Sequence, residues 1–289
     1  MSTGIQVDQA AVGATPYRRR LSIVVPLAFL CVAALLVMAT LGSLLAPQDP
    51  TAQDLLSAAA APGAGHLLGT DSLGRDILSR VLVGARPALI GPLAVAAGAV
   101  ILAVLLGLLA GFNGGWIETL IVRIGDLMYA LPGLLVLIVV AGLFGGGYWV
   151  AVVLMIILVS PAGMRLVRSA VLTQRNLPYI EAAQTLGVNK TRLMLRHILP
   201  NVVPTVVAMF LLDFVGGLVA LSTLSFLGVG SPPGSADWGL MLAENRPLLD
   251  QNPWAAIAPA LLLIIAAFSV TILGDWLHAR LEKGRSARD

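Results

Sequence analysis

The sequence predicts an all-α membrane protein with six transmembrane helices and both termini in the cytoplasm. Of 289 residues, 58% are hydrophobic and only 11% charged, and mean hydropathy is +0.91. Soluble domains carry about 25% charged residues, so a chain this poor in charge needs lipid as its solvent. The apolar residues fall into six runs, each close to the roughly 20 residues that cross the hydrocarbon core as a helix. The basic residues between those runs lie mostly on one side.

The first run, 21–46, follows Arg18, Arg19 and Arg20. A basic start before an apolar stretch also marks a secretory signal. However, 21–46 exceeds the roughly 7–15 residues of a signal core, so it reads as a retained signal-anchor behind a cytoplasmic tail, 1–20. An extracytoplasmic segment, 47–87, follows. It contains Gly69-Thr70-Asp71-Ser72-Leu73-Gly74-Arg75-Asp76-Ile77-Leu78-Ser79-Arg80. Asp71 is placed to cap a helix, and Asp76 and Arg80 to pair at i,i+4. Ile77, Leu78, Val81 and Leu82 give that helix an apolar face, as for an amphipathic helix on the outer membrane surface. The competing use of Asp71, Arg75, Asp76 and Arg80 is contact with a partner arriving from outside.

The core, 88–277, holds the remaining spans at 88–112, 117–143, 148–164, 203–229 and 254–277, and a cytoplasmic tail, 278–289, ends the chain. Two more hydrophilic regions interrupt it: a long cytoplasmic loop, 165–202, and an outer loop, 230–253, with Pro232-Pro233 and Asp237-Trp238-Gly239. With the N-terminus inside, the inner basic set is Arg18, Arg19, Arg20, Arg123, Arg165, Arg168, Arg175, Lys190, Arg192, Arg196, Arg280, Lys283, Arg285 and Arg288. The outer set is Arg75, Arg80, Arg86 and Arg246. These 14 and 4 account for all 18, and the reverse topology breaks the positive-inside rule.

Other classes are poorly supported. Net charge is only +3 and the bases do not cluster with aromatics, which argues against nucleic acid. Cys31 is the single cysteine, so no intrachain disulfide is possible, and His66, His197 and His278 lack metal-ligand spacing. No metal site and no catalytic residues are expected: H-E-x-x-H, G-x-S-x-G and paired intramembrane aspartates are all missing. The chain also lacks G-x-x-x-x-G-K-[ST], the loop that holds nucleotide phosphates.

The cytoplasmic loop carries the strongest local pattern. Met164 to Thr173 extends the fourth helix out of the membrane, and Pro178 interrupts it. Tyr179 to Leu186 forms a short helix, Gly187 suits its C′ position, and Asn189 can cap a second helix from Lys190 that stops at Pro200. Ala182 and Ala183 let a partner surface approach closely, and Glu181 offers a charge for a salt bridge across the contact. The competing reading is an amphipathic helix lying on lipid.

Glu181-Ala182-Ala183, three residues, Gly187, ten residues, then Ile198-Leu199-Pro200 and Pro204 resembles the EAA loop of ABC-importer permeases. The outer segment, with Gly69-Thr70-Asp71, Gly74-Arg75-Asp76, Ser79-Arg80, Gly84 and Arg86, is similar to the dipeptide, oligopeptide and nickel branch. So are Leu224-Ser225-Phe226-Leu227-Gly228, Pro232-Pro233, Trp238-Gly239, Pro253-Trp254 and Gly274-Asp275, in the manner of its second permease subunit. Two departures stand out: Leu221 replaces an acidic residue, and His278, Ala279, Glu282 and Lys283 replace a Leu-Arg-Asp and Asp-Pro ending.

The resemblance implies a type I ABC-importer permease fold in a bacterial inner membrane, moving peptides or a related small solute by alternating access. It implies a second homologous permease, two ATP-binding subunits and an extracytoplasmic solute-binding protein as partners. ATP and Mg would be bound by the partner ATPases, with no cofactor in this chain. Tyr179, Glu181, Ala182, Ala183, Gly187 and Pro200 would form the ATPase-coupling site, and Asp71, Arg75, Asp76 and Arg80 would meet the binding protein. Dipeptides, oligopeptides, glutathione, haem and nickel complexes all remain open as cargo.

Asp213 lies midway along the fifth span. A carboxylate there costs about 2.5–3.5 kcal/mol on insertion scales, so it faces either the substrate pathway or a hydrogen-bonded packing contact. It is also the one feature favouring the alternative of an ion-gradient-driven secondary transporter. Arg123 and Asp126 read as a local pair, and Gly145-Gly146-Gly147 and Gly216-Gly217 as helix-packing sites.

Overall fold

Ten α-helices organise the computed structural model, which describes residues 21–143 and 147–286. The tail 1–20, Phe144, Gly145, Gly146 and the last three residues lie outside the described residues. The helices are α1 (Leu21–Leu45), α2 (Ile77–Asn113), α3 (Gly115–Tyr129), α4 (Gly133–Leu143), α5 (Tyr148–Arg175), α6 (Pro178–Thr185), α7 (Lys190–Leu193), α8 (Leu199–Phe226), α9 (Trp238–Asn245) and α10 (Trp254–Ser286).

Helix α2 is the central post. At 37 residues it is about 55 Å long, well beyond a hydrocarbon core of about 30 Å. Helix α5 runs parallel to it, with Tyr148, Ile156, Val167 and Val171 seated against Gly91, Gly98, Gly107 and Gly111 in turn. Those glycines allow the close approach that membrane helices need in place of a hydrophobic drive. Two parallel neighbours require the chain between them to cross back, and α3 and α4 make that crossing. Helix α8 runs antiparallel, with Met209 near Gly163 toward the inner side and Gly217 against Val95 further out. The Gly42 end of α1 meets Leu82 near the start of α2, and Phe29 packs edge-on to Trp276 of α10 at 5.4 Å. With α3 and α4 taken as one broken span, six crossings result, and the start of α1 and the end of α10 lie at the end of the molecule that carries α6.

The spans differ from the sequence expectation in three places. No separate amphipathic helix lies on the outer surface: Ile77 already opens α2, and Ile77, Val81 and Ala85 are buried against Trp238 and Met241. The third crossing is broken, with α3 and α4 bent by 84°. Pro132 sits at the break, lacking an amide donor and disfavouring helix at Leu131. Helix α5 extends to Arg175, in line with the expected continuation of the fourth helix through Thr173. The second helix of the cytoplasmic loop does not stop at Pro200. It runs from α7 through a π-helical turn, Met194–Ile198, into α8. Leu199 N bonds Met194 O, which carries the chain smoothly to a proline near the start of the next helix, where a missing amide is tolerated.

Candidate functional site

At the inner end, Arg175 ties α5 to α2 by donating to the carbonyls of Phe112 at 2.9 Å and Gly111 at 3.4 Å. Pro178 then occupies the first turn of α6, and Glu181 sits in that turn, where the helix dipole favours an anion. Ile180 is fully buried and anchors α6 into a cluster with Leu193, Ile198, Val202, Val167 and Phe112. The Tyr179 hydroxyl donates to Gln174 Oε1 and accepts from Asn201 Nδ2, both at 3.2 Å, so it bridges the end of α5 and the start of α8.

Gly187 takes φ +78°, and the α6 C-terminus closes as a full Schellman turn. Val188 N bonds Ala183 O at 3.1 Å and Gly187 N bonds Gln184 O at 2.9 Å. Asn189 caps α7 by accepting from Thr191 N at 3.1 Å. Glu181, Ala182, Leu186, Gly187 and Pro200 face solvent, while Ala183 is half-buried against the cluster. Leu186 is 84% exposed. The loop is therefore a bracket: one face is bolted to the span ends, and the other presents small, apolar and charged side chains. Glu181, Lys190, Arg192 and Arg196 form no ion pair among the described residues.

At the outer end, Asp71, Arg75, Asp76 and Arg80 come together, but not as the spacing implied. Asp76, not Asp71, caps α2, accepting from Ser79 N at 2.8 Å. Asp76 also meets His66 Nδ1 at 3.0 Å and does not pair with Arg80. Asp71 instead holds Arg75 Nε at 2.5 Å and Arg80 Nε at 3.5 Å. Both guanidiniums then reach across to the 230–253 loop. Each donates to Gly234 O at 3.0 Å, and both approach Glu244, which in turn accepts from Gly234 N at 2.9 Å. Trp238 closes the cap from below, donating from Nε1 to Val81 O at 2.9 Å. Asp71, Arg75, Asp76 and Arg80 are at most 3% exposed. That burial takes the side chains themselves out of reach of an incoming protein; they shape the cap rather than its surface.

Glu244 and Asn252 belong to this network with no signal in the sequence, and His66, noted there only as lacking metal-ligand spacing, joins it through Asp76. Glu244 lies in a weakly patterned stretch. Asn252 donates to the carbonyls of Leu68 and Thr70, more than 180 residues away, and nothing local signals it.

At the inner ends of the helices, Asp126 pairs with Arg165 at 2.8 Å rather than with Arg123, because α3 lies antiparallel against α5. Arg165 also stacks over Tyr129, 4.3 Å from the ring centroid. Arg168 bonds Glu118 through Nε at 2.7 Å. Asp213 is half-buried beside exposed Leu212 and Gly216, with no hydrogen bond or ion pair among the described residues. Gly217 packs against Val95, whereas a side chain at Gly216 would meet open space.

Residues 103–284 match the family model described as "binding-protein-dependent transport system inner membrane component". The glutathione transport system permease protein of Pectobacterium atrosepticum is 38% identical over 76% of this chain and 73% of its own. The di/tripeptide transport system permease protein of Pseudomonas aeruginosa is 36% identical over 76% and 72%. A probable D,D-dipeptide transport system permease protein of Escherichia coli is 34% identical over 86% and 83%. In three dimensions, a chain of the MetNI methionine ABC transporter in inward-facing conformations superposes with TM-score 0.56. It covers 70% of this chain and 95% of its own at 16% identity, a likeness of fold.

Proposed function

The chain belongs to the binding-protein-dependent transport system inner membrane components and is an integral-membrane permease subunit of an importer; we propose that its cargo is a small peptide or peptide-like solute and that α6 is its docking element for an ATPase. The bracket geometry at Gly187 carries this reading. A loop that merely lay on lipid would turn its apolar side outward. Here Ile180 and Leu193 point into the span ends, and the outer face carries Glu181, Ala182 and Leu186. A short helix anchored on one side and bare on the other transmits displacement. Motion of whatever holds α6 passes through Tyr179 and Ile180 to α5 and α8.

The partners in this reading are a second homologous permease, two ATP-binding subunits that bind ATP and Mg, and an extracytoplasmic solute-binding protein. The peptide cargo is inferred from what the named relatives carry.

Glu181→Lys tests the docking role. Because Glu181 is exposed and unpaired among the described residues, the change costs about 0.5 kcal/mol or less in stability, yet ATP-driven uptake and co-purification of the ATPase should both be lost. Normal uptake by a correctly inserted variant would remove α6 from the coupling path.

A further inference from the structure

Helices α1, α2, α8 and α10 enclose a cavity of about 540 Å³, within the roughly 300–1,000 Å³ typical of small-molecule sites. Its walls are apolar, among them Leu36, Leu89, Leu93, Phe210, Phe214 and Val270. Only Thr40 and Arg86 bring polar atoms. The Thr40 hydroxyl is already used, donating to Leu36 O at 2.8 Å. Arg86 makes no hydrogen bond or ion pair among the described residues. Arg75, just before α2, and Arg80, on it, are both ion-paired to Asp71 and Glu244.

The polarity of the cavity has a direction. Helix α1 rises toward the outside and α2 descends from it, so Thr40 and Arg86 are the outermost lining residues on their helices. Below them the walls are entirely apolar. Arg86 lies ten residues along α2 from its Asp76 cap, or about 15 Å, which places a lone cation at the edge of the hydrocarbon. A charge at that depth needs a counter-ion, and a guanidinium matches phosphate oxygens two at a time. The exposed lining residues are Leu36, Thr40, Arg86, Ile90 and Leu93, so the opening is apolar along its length with its two polar side chains at the outer end, as in a groove that faces lipid.

We propose that this cavity is a binding site for one anionic phospholipid of the outer leaflet, its phosphate on Arg86 and an acyl chain between α1 and α8. Head outward and tail inward is the orientation such a lipid already has. The assignment rests on Arg86, the cavity and the helix directions, and is independent of cargo and of the ATPase contact.

Native mass spectrometry of the full-length chain, purified from membranes and delipidated, tests it. Phosphatidylglycerol, phosphatidylcholine and inorganic phosphate are added back separately. Wild type should retain one phosphatidylglycerol, at least tenfold in preference to phosphatidylcholine. Arg86→Gln should lower that retention at least tenfold, and Arg86→Lys should keep part of it. Ala39→Phe, which fills the cavity and leaves Arg86 in place, should abolish retention and so carries the test if Arg86→Gln fails to insert. Equal retention by wild type and Arg86→Gln or Ala39→Phe, or equal retention of the two lipids, would overturn the proposal. So would displacement of bound lipid by millimolar inorganic phosphate, which would mark Arg86 as a free-phosphate site.

Discussion

Arg75 and Arg80 in the outer cap are 3% and 1% exposed, and each bonds a loop more than 150 residues further along the chain. Glu181, Arg192 and Arg196 in the cytoplasmic bracket are exposed and unpaired among the described residues. The two ends thus spend charge differently. In the cap, ions are consumed within the chain and hold two loops over the tops of the spans. In the bracket, buried apolar contacts hold the backbone and the ions are left over. Charge satisfied inside one chain reads as architecture; charge left outside a rigid frame reads as an interface.

The largest effect should come from breaking the cap. Arg80→Met leaves Asp71 and Glu244 without one of their two guanidiniums. Removing one partner of a buried ionic group costs about 3–5 kcal/mol, because the remaining charge stays desolvated. Denaturant titration in mixed micelles should show that loss, with new protease cleavage in 47–70. A loss under 1 kcal/mol would mean that the network decorates the cap rather than holding it.

The next comparison sets one glycine against another. Gly74 and Gly187 both have positive φ, +73° and +78°. A Cβ at Gly187 meets nothing, whereas one at Gly74 would sit 1.8 Å from Asp54 O. Gly187→Ala should therefore cost only the left-handed conformational penalty, about 1–2 kcal/mol. Gly74→Ala adds a backbone clash, with overpacking worth about 1–3 kcal/mol more. A β-branched residue at Gly187 should resist φ > 0 more strongly and reduce uptake. Equal losses for the two alanine variants would show that the cap loop yields and that only backbone torsion matters.

The bracket was more legible in sequence than the cap, for a physical reason. Its turn and cap are local devices: Gly187 closes on Gln184, Val188 on Ala183, and Asn189 on Thr191, all within five residues. Span positions and orientation were legible too, since hydropathy and the basic-residue count act along the chain. The cap is built from distant pairs. Local spacing pointed to Asp76–Arg80, but Glu244 and Gly234 supplied better partners from the far loop and freed Asp76 to cap α2 and meet His66. The passage through Pro200 was hidden for a related reason. Proline looks like a stop until the π turn before it places it in the first turn of α8, where its missing donor is harmless.

Asp213 belongs to neither end, and the smallest expected change in stability falls there. It has no hydrogen-bond or ion-pair partner among the described residues, so Asp213→Asn removes a charge from the spanning region without orphaning another group. Burying that charge costs about 2.5–3.5 kcal/mol on insertion scales. Folding stability in micelles should therefore hold or rise, the opposite sign from Arg80→Met. Beside it, Leu212, Gly216 and Val219 form an exposed stripe along α8, unlike the opposite face, where Gly217 and Leu218 pack inward. A carboxylate kept at the edge of such a stripe suits a water-filled path and a cationic group on the cargo. Uptake by Asp213→Asn should then fall several-fold while its ATPase association stays intact. Wild-type uptake would reduce Asp213 to a packing residue, and a stability loss above 1 kcal/mol would mean that the carboxylate has a partner supplied by another subunit.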